Sequence, residues 1–532
     1  MRIGILHGWM LSGSGSNIYV QNVARTLWEQ GHEVHLFCQD RDTARFPFIS
    51  SIRMHNLDGS VAETVLCPDG VIVHVPDIGP ILPVFVWDRY PHFEKVIEFP
   101  KMSFGALQSY LDCNTDAIAT SVQEDELDIL HANHAIMMPA IAREVSKRTS
   151  IPYLTALHAS ALVYSVKDDP TCFEQAFNGL EGASAVLVGN EYFKSQVMEM
   201  FAERYPELSD KIVEVPLGVD TSIFKPTPRN ECAKVIATSL KDNSEQLLGR
   251  DAEQSRTIRQ TFYEWIRKGE VPQSVFEFAK QYSQKHPDAD LQHRIASIDW
   301  EKPVVMFVGR LIPGKGAHDL LIAYYELAKR VQSQLIVVGA GPMREWLEAF
   351  AMFRRFGIGS MLAPWLDAAK KLPDSENLLS AAVEWVEETA TSCEPMLDTK
   401  VLFTGFLDHT LLQHLLPCAD VAVFPSLVPE SFGLVTLEAA SAGVIPLVTD
   451  FSGLRDSALV FEQSIAELAE NDLRFPLEPQ NRVQTIANRI EHALTLSKSS
   501  ALGKSLRATC ERVYSWQAVT ASLVKVYESI TK

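Results

Sequence analysis

Glu430 and Glu438 stand eight positions apart in the run PESFGLVTLEAASAG, and two cations, Arg310 and Lys315, stand in the run VGRLIPGKG. Carboxylates and cations in such Gly- and Pro-rich settings suit the chemistry of a diphosphate joined to a sugar. Arg310 and Lys315 would project from a fixed loop, and one cation about 4 Å from a phosphate charge, at an effective dielectric near 20, contributes about 4 kcal/mol of attraction before desolvation. Two such groups can hold a nucleoside diphosphate and stabilise it as it leaves, without a metal ion. The backbone N–H groups of Ser431, Phe432, Gly433 and Leu434, where a helical run begins, would add donors to the same anion. Glu438, inside that run, suits the two hydroxyls of a ribose, as a carboxylate does in dinucleotide sites. Glu430, ahead of it, suits a sugar hydroxyl. The plainer readings are solvated loop cations, a helix-dipole partner in Glu430 and a surface position for Glu438.

Polar residues follow other strand-like runs in the same way. Gly8–Asn17, holding Gly13 and Gly15, follows Ile3–Leu6; Asn133 and His134 follow the strand Asp128–His131; His158 follows Tyr153–Leu157; Trp87–Tyr90 follows Pro83–Trp87. A lone histidine is more often structural, but His134 and His158 at successive strand ends fit a site equally well. Asp40–Arg41–Asp42 and Asp288–Ala289–Asp290 match a DxD metal motif by letter only, and no metal site is expected.

The elements that must position these groups are alternating strands and helices. Val421–Phe424, the helical run Leu434–Ala442 and Val444–Val448 form a strand–loop–helix–strand unit, with its loop at the carboxyl end of a strand, where parallel sheets bind ligands. Ile3–Leu6, Ile18–Gln30 and Val34–Phe37 open the chain in the same rhythm. Its glycine loop lacks the third glycine of GxGxxG, which disfavours a dinucleotide-dependent dehydrogenase. Val304–Val308, Leu335–Val338 and Val401–Thr404 read as further strands, Lys101–Tyr110 and Thr115–Glu124 as helices. Two stretches, about 230–300 and 352–400, are polar, helix-prone and without a strand signal, and read as helical insertions.

At 532 residues the chain exceeds a single core, and two or more domains are expected. The net charge of -19 leaves no basic surplus to displace counterions, which argues against a nucleic-acid partner. The eight cysteines are scattered with no CxxC pair, the usage expected of reduced thiols in a cytoplasmic protein. No apolar run reaches about 18 residues, so no transmembrane helix is expected; peripheral membrane contact stays open.

VGRLIPGKG, VPLGVDTSIF, VGAGP, TGF and PESFGLVTLEAASAG together resemble the retaining glycosyltransferases of family 4, whose E-x7-E motif matches Glu430 to Glu438. The resemblance implies the α/β GT-B fold, two Rossmann-like domains facing across a cleft. These would be an acceptor domain over 1–217, a donor domain over 218–513 carrying the two insertions, and a helix over 514–532 crossing back to the first. It implies a nucleotide-diphosphate sugar (UDP- or GDP-sugar) as donor, an acceptor that is a saccharide, small metabolite or lipid, no cofactor and no metal. By position, Gly309, Arg310 and Lys315 would grip the diphosphate. Glu438 would hold the ribose, and Glu430 with the Ser431–Leu434 backbone the donor sugar and phosphates. Phe406 would flank the base, His158 would sit by the reaction centre, and Gly15 would face phosphate or acceptor. Tyr90, Asn133 and His134 are the candidate acceptor contacts. The chain departs from the family in its SGSGSN loop, in HAS where HG is common, and in both insertions. The competing readings are a GT-B sugar-nucleotide epimerase and a nucleotide-sugar binding protein without turnover.

Overall fold

Strands here are short runs of Val, Ile and Leu, the composition of parallel strands buried on both faces. The computed structural model describes residues 1–532 apart from 12, 14, 86–89, 91, 92, 370, 373, 374, 376 and 390–392. It divides into two compact units, Met1–Gly218 with Tyr514–Lys532, and Val219–Val513.

The first unit is built on β1 (Arg2–Leu6), β2 (Glu33–Phe37), β3 (Ile49–His55), β4 (Val61–Val65), β5 (Val71–Pro76), β8 (Ile129–Asn133), β9 (Tyr153–Ala156), β10 (Ala185–Val188) and β11 (Ile212–Glu214). They form one sheet in the order β11-β10-β9-β8-β1-β2-β5-β3-β4, while β6 (Ile81–Val84) and β7 (Lys95–Glu98) pair by themselves. Among the described residues only β3 and β4 pair antiparallel within the large sheet. Side chains alternate between its faces: Ile3 and Ile5 enter one core and Leu6 the other, and Ile129 and Leu130 divide likewise. The helix Trp516–Thr531 gives Trp516, Val519, Leu523 and Tyr527 to the core that holds Ile3.

Three sequence expectations change here. The two helices expected over 101–110 and 115–124 are one, Phe104–Glu124, because Asn114 is buried and donates to the Tyr110 carbonyl at 2.8 Å instead of breaking the turn. The hairpin β3–β4 was not expected; β4 is exposed along its whole length and shows no apolar alternation to read. The strand expected to end at His131 continues to Asn133.

The second unit has β12 (Val304–Val308), β13 (Gln334–Val338), β14 (Lys400–Phe403), β15 (Val421–Phe424), β16 (Ile445–Thr449) and β17 (Arg474–Phe475). Its order is β14-β13-β12-β15-β16-β17, parallel throughout. The chain starts in the centre, runs outward through β13 and β14, and crosses back to β15, so the switch point lies between β12 and β15. The added helices Arg229–Asp242, Ala252–Lys268 and Leu291–Ile295 precede β12, and Leu362–Ala369 and Ser380–Thr389 precede β14. A buried charge network binds the first set to the helix Arg344–Phe356. Arg344 donates to Asp288 at 2.7 Å, and Arg250 grips both oxygens of Glu348 at 2.8 and 2.7 Å.

Candidate active site

Because the switch point opens between β12 and β15, the loops that follow these two strands are brought side by side, and they carry Gly309–Gly316 and Pro425–Gly433. Backbone contacts strap them together: Leu427 N–H donates to the Gly314 carbonyl at 2.8 Å, and the Ser426 hydroxyl reaches the same oxygen at 3.1 Å. Gly316 has φ +66°, and a Cβ there would lie 2.0 Å from the Pro425 carbonyl oxygen, so only glycine allows this approach. Lys315 pairs with Glu430, whose Oε1 also accepts from the Ser426 hydroxyl at 3.1 Å. Glu430 is fixed from its backbone as well, since its N–H donates to Ser452 Oγ at 3.0 Å. Arg310 is exposed on the same loop. Gly433, at φ +81°, turns the chain into the helix Leu434–Ser441, and Phe432 is buried just ahead of it while Ser431 is exposed.

Glu438 is buried at 7%, which removes the surface reading for it. Its Oε1 lies 3.3 Å from His409 Nε2, and this carboxylate raises the pKa of the imidazole. His409 packs edge-on against Phe224, with ring centroids 5.3 Å apart. Phe406 is exposed, next to Gly405. The first insertion supports that loop directly: Asp288 N–H donates to the Thr404 carbonyl at 2.9 Å, and Arg294 donates to the Phe403 carbonyl at 2.9 Å. Asp288, the first residue of one DxD match, is enclosed by Arg344 and Arg294; Asp40 and Asp42 of the other both accept from Arg45.

In the first unit the carboxyl ends of β1, β8 and β9 gather a second cluster. His134 is fully buried at φ +70°, a conformation that costs a bulky residue energy and concentrates at functional sites. Its Nε2 lies 3.3 Å from His7 Nδ1, and the His7 Nε2–H reaches the Met10 carbonyl at 2.8 Å and Asn17 Oδ1 at 3.1 Å. His158 donates to Asn133 Oδ1 at 3.1 Å, and its ring lies 4.9 Å from that of His134. Burial keeps these imidazoles neutral, lowering His7 to about 4 and His158 to about 3. Among the described residues, His134 Nδ1 has no hydrogen-bond partner. Gly15 begins the helix Gly15–Glu29 and faces open space, and Tyr90 packs edge-on against Trp9 at 6.2 Å. Trp87, Asp88 and Arg89 lie outside the described residues. The structure thus joins Asn133, His134 and His158 in one group, and Lys315, Glu430 and the Ser431–Leu434 turn in another.

Sequence reading missed His7, and held Trp9 and Asn17 only as members of the Gly8–Asn17 loop, although His7 directly follows a strand, the signal that marked His134 and His158. It also missed Arg482. That buried guanidinium donates to Asp319 at 2.9 Å, to the Pro425 carbonyl at 3.0 Å and to Thr449 at 3.1 Å, holding the ends of β15 and β16 together. Nothing in the local pattern around Arg482 signals this, because these three partners are 33 to 163 positions away.

Two family models match: Glycosyltransferase Family 4 over residues 13–223 and Glycosyl transferases group 1 over residues 384–501. Among curated proteins, the chain is similar to a glycogen synthase of Mycobacterium tuberculosis, 30% identical over 227 residues, which is 42% of this chain and 42% of that protein. The chain thus spans less than half the length of the first curated relatives it matches. Among solved structures it is similar to the sucrose-phosphate synthase of Thermosynechococcus elongatus, with TM-score 0.51 and 17% identity over 99% of this chain and 98% of that one. It is similar also to Anabaena HepE in complex with UDP, with TM-score 0.52 and 14% identity over 99% and 100%. At these identities the structural likeness establishes the fold, the two-domain α/β GT-B arrangement. The two family models and the shared fold together support a GT-B glycosyltransferase of the family 4 kind.

Proposed function

We propose that this protein is a retaining glycosyltransferase that moves a sugar from a nucleoside-diphosphate sugar to an acceptor hydroxyl without a metal. The observation that carries this reading is the strapping of the 309–316 and 425–433 loops at the switch point, with Lys315 paired to Glu430 and Arg310 exposed beside them. In this reading Arg310, Lys315 and the Ser431–Leu434 backbone hold the diphosphate, whose charge grows as the glycosidic bond breaks, so their contribution is largest in the transition state. Glu430 orients the sugar, and Glu438, steered by His409, takes the ribose hydroxyls. Phe406 offers an exposed ring to the base. A solved neighbour holds UDP, which supports a nucleotide donor of this type.

His134, His158 and Asn133 take the acceptor side. Their neutral imidazoles can donate and accept hydrogen bonds with hydroxyls of a saccharide, small metabolite or lipid. The anomeric carbon exchanges its bond to the diphosphate oxygen for one to the acceptor oxygen on the same face. The acceptor proton passes to the departing phosphate. Turnover of UDP- and GDP-sugars with Lys315→Ala and Glu430→Ala, with the product anomer read by NMR, tests this. Unchanged turnover in both variants, or an inverted anomer, defeats it.

A further inference from the structure

Away from these loops, β2, β5 and the end of the helix Phe104–Glu124 bring together His35, His74 and Asp125. The ligand atoms of all three lie within 4.8 Å of one another. Both imidazoles are completely buried. We infer that His35 Nδ1, His74 Nε2 and Asp125 Oδ2 form a binding site for a divalent transition-metal ion, zinc being the ion that fits best.

The protons decide the matter. His35 Nε2 lies 3.1 Å from Glu33 Oε1, and a carboxylate only accepts, so the ring proton sits on Nε2 and Nδ1 presents a lone pair. His74 Nδ1 lies 2.8 Å from His55 Nε2 and 3.2 Å from Ser121 Oγ, two groups able to accept from it. With that proton on Nδ1, His74 Nε2 also presents a lone pair, and it faces His35 Nδ1 at 2.9 Å. Asp125 Oδ2 lies 3.5 Å from His35 Nδ1, is buried, and has no hydrogen-bond partner among the described residues. Three acceptors then converge on one point with no donor among them, which is the arrangement a cation satisfies.

The dimensions agree with zinc. Zinc–nitrogen and zinc–oxygen bonds of about 2.0–2.2 Å place neighbouring ligands of a tetrahedron about 3.3 Å apart; His35 Nδ1 lies 2.9 Å from His74 Nε2 and 3.5 Å from Asp125 Oδ2, and the third pair is within 4.8 Å. Two imidazoles and a carboxylate select late first-row metals over calcium or magnesium, and water completes the fourth position. The outer contacts are those of metal-bound histidines: each ring's other nitrogen meets a carboxylate, a hydroxyl or another imidazole. Arg53 donates to Asp125 Oδ1 at 2.7 Å and fixes the carboxylate without occupying Oδ2. The competing arrangement is a chain of neutral rings in which His55 donates to His74 and His74 to His35. That chain still leaves Asp125 Oδ2 unpartnered.

The test uses the tag-free full chain, stripped with a chelator, loaded with zinc chloride and passed through gel filtration before elemental analysis. Wild type should retain one equivalent more than Asp125→Asn and His74→Gln, and its cobalt-loaded form should show the strong visible bands of a tetrahedral site. Asp125 sits at a helix end, so Asp125→Asn keeps the Arg53 contact and folds even if His74→Gln does not. Wild type that retains no zinc, or zinc retained equally by wild type and Asp125→Asn, overturns the proposal in favour of the neutral chain.

Discussion

Lys315 and Glu430, 115 positions apart in sequence, meet as an ion pair where two loops of the second unit run side by side. Both side chains keep more than a fifth of their surface open. Such a partly exposed pair contributes about 0–1 kcal/mol to stability, whereas a charge aimed at a leaving diphosphate is worth about 3–4 kcal/mol of transition-state stabilisation. Lys315→Ala should therefore leave the melting temperature within about a degree or two of wild type while lowering kcat/KM for the donor by about 10²–10³-fold. Steady-state kinetics beside a thermal melt checks this; a large loss of stability with normal turnover contradicts the assignment.

Arg482 should behave in the opposite way. It is buried, and its removal leaves Asp319 without its guanidinium partner. Breaking a buried pair from one side costs about 3–5 kcal/mol, so Arg482→Met should lower the denaturant midpoint of unfolding strongly. Equilibrium unfolding in urea measures it.

His409 supplies a pH signature. Hydrogen bonding to Glu438 raises its pKa above the ordinary 6.5. The group is more basic folded than unfolded, so its stabilising contribution is complete below pH 6.5 and is lost as pH rises through the raised folded value. The melting temperature of wild type should exceed that of His409→Asn at pH 6, and the gap should shrink as pH climbs towards 9. A gap that widens with pH contradicts the pairing.

His131 has the reverse sign. Burial lowers it to about 3, and its Nδ1 lies 2.6 Å from the Tyr527 hydroxyl. Its contribution is present above pH 6.5 and is lost as pH falls towards 3, at up to about 1.4 kcal/mol per unit, because the unfolded chain takes up a proton that the folded one refuses. Replacing it with Gln should flatten the acid limb of a stability–pH curve measured by urea unfolding.

Nucleotide binding is open to a direct check. A diphosphate nucleotide or its sugar at 100 times its dissociation constant should stabilise the fold by about 2.7 kcal/mol. A thermal-shift series over UDP, GDP, ADP and their sugars should single out one base, and Lys315→Ala should abolish the shift.

The parts of this architecture legible in sequence were those with strong local signals. Val304–Val308 and Val421–Phe424 are buried on both faces and end in glycine or proline loops, so strand and candidate loop could be read together. β4 was invisible because an exposed edge strand such as VAETV imposes no apolar pattern. The pairing of Lys315 with Glu430 could be framed only as two residues at two strand ends; the sheet order brings them together. Arg482 and the His35–His74–Asp125 group were not read at all, since each depends on partners from distant strands and helices and on burial, which spacing does not encode.

The first unit completes its core with Trp516, Leu523 and Tyr527, and Trp516 sits so close to Gly218 that a Cβ there would lie 2.5 Å from the indole. These side chains are synthesised only after the whole of the second unit. While the chain is still emerging from the ribosome, the Ile3 core lacks these side chains and keeps an open apolar face until translation has passed Tyr527.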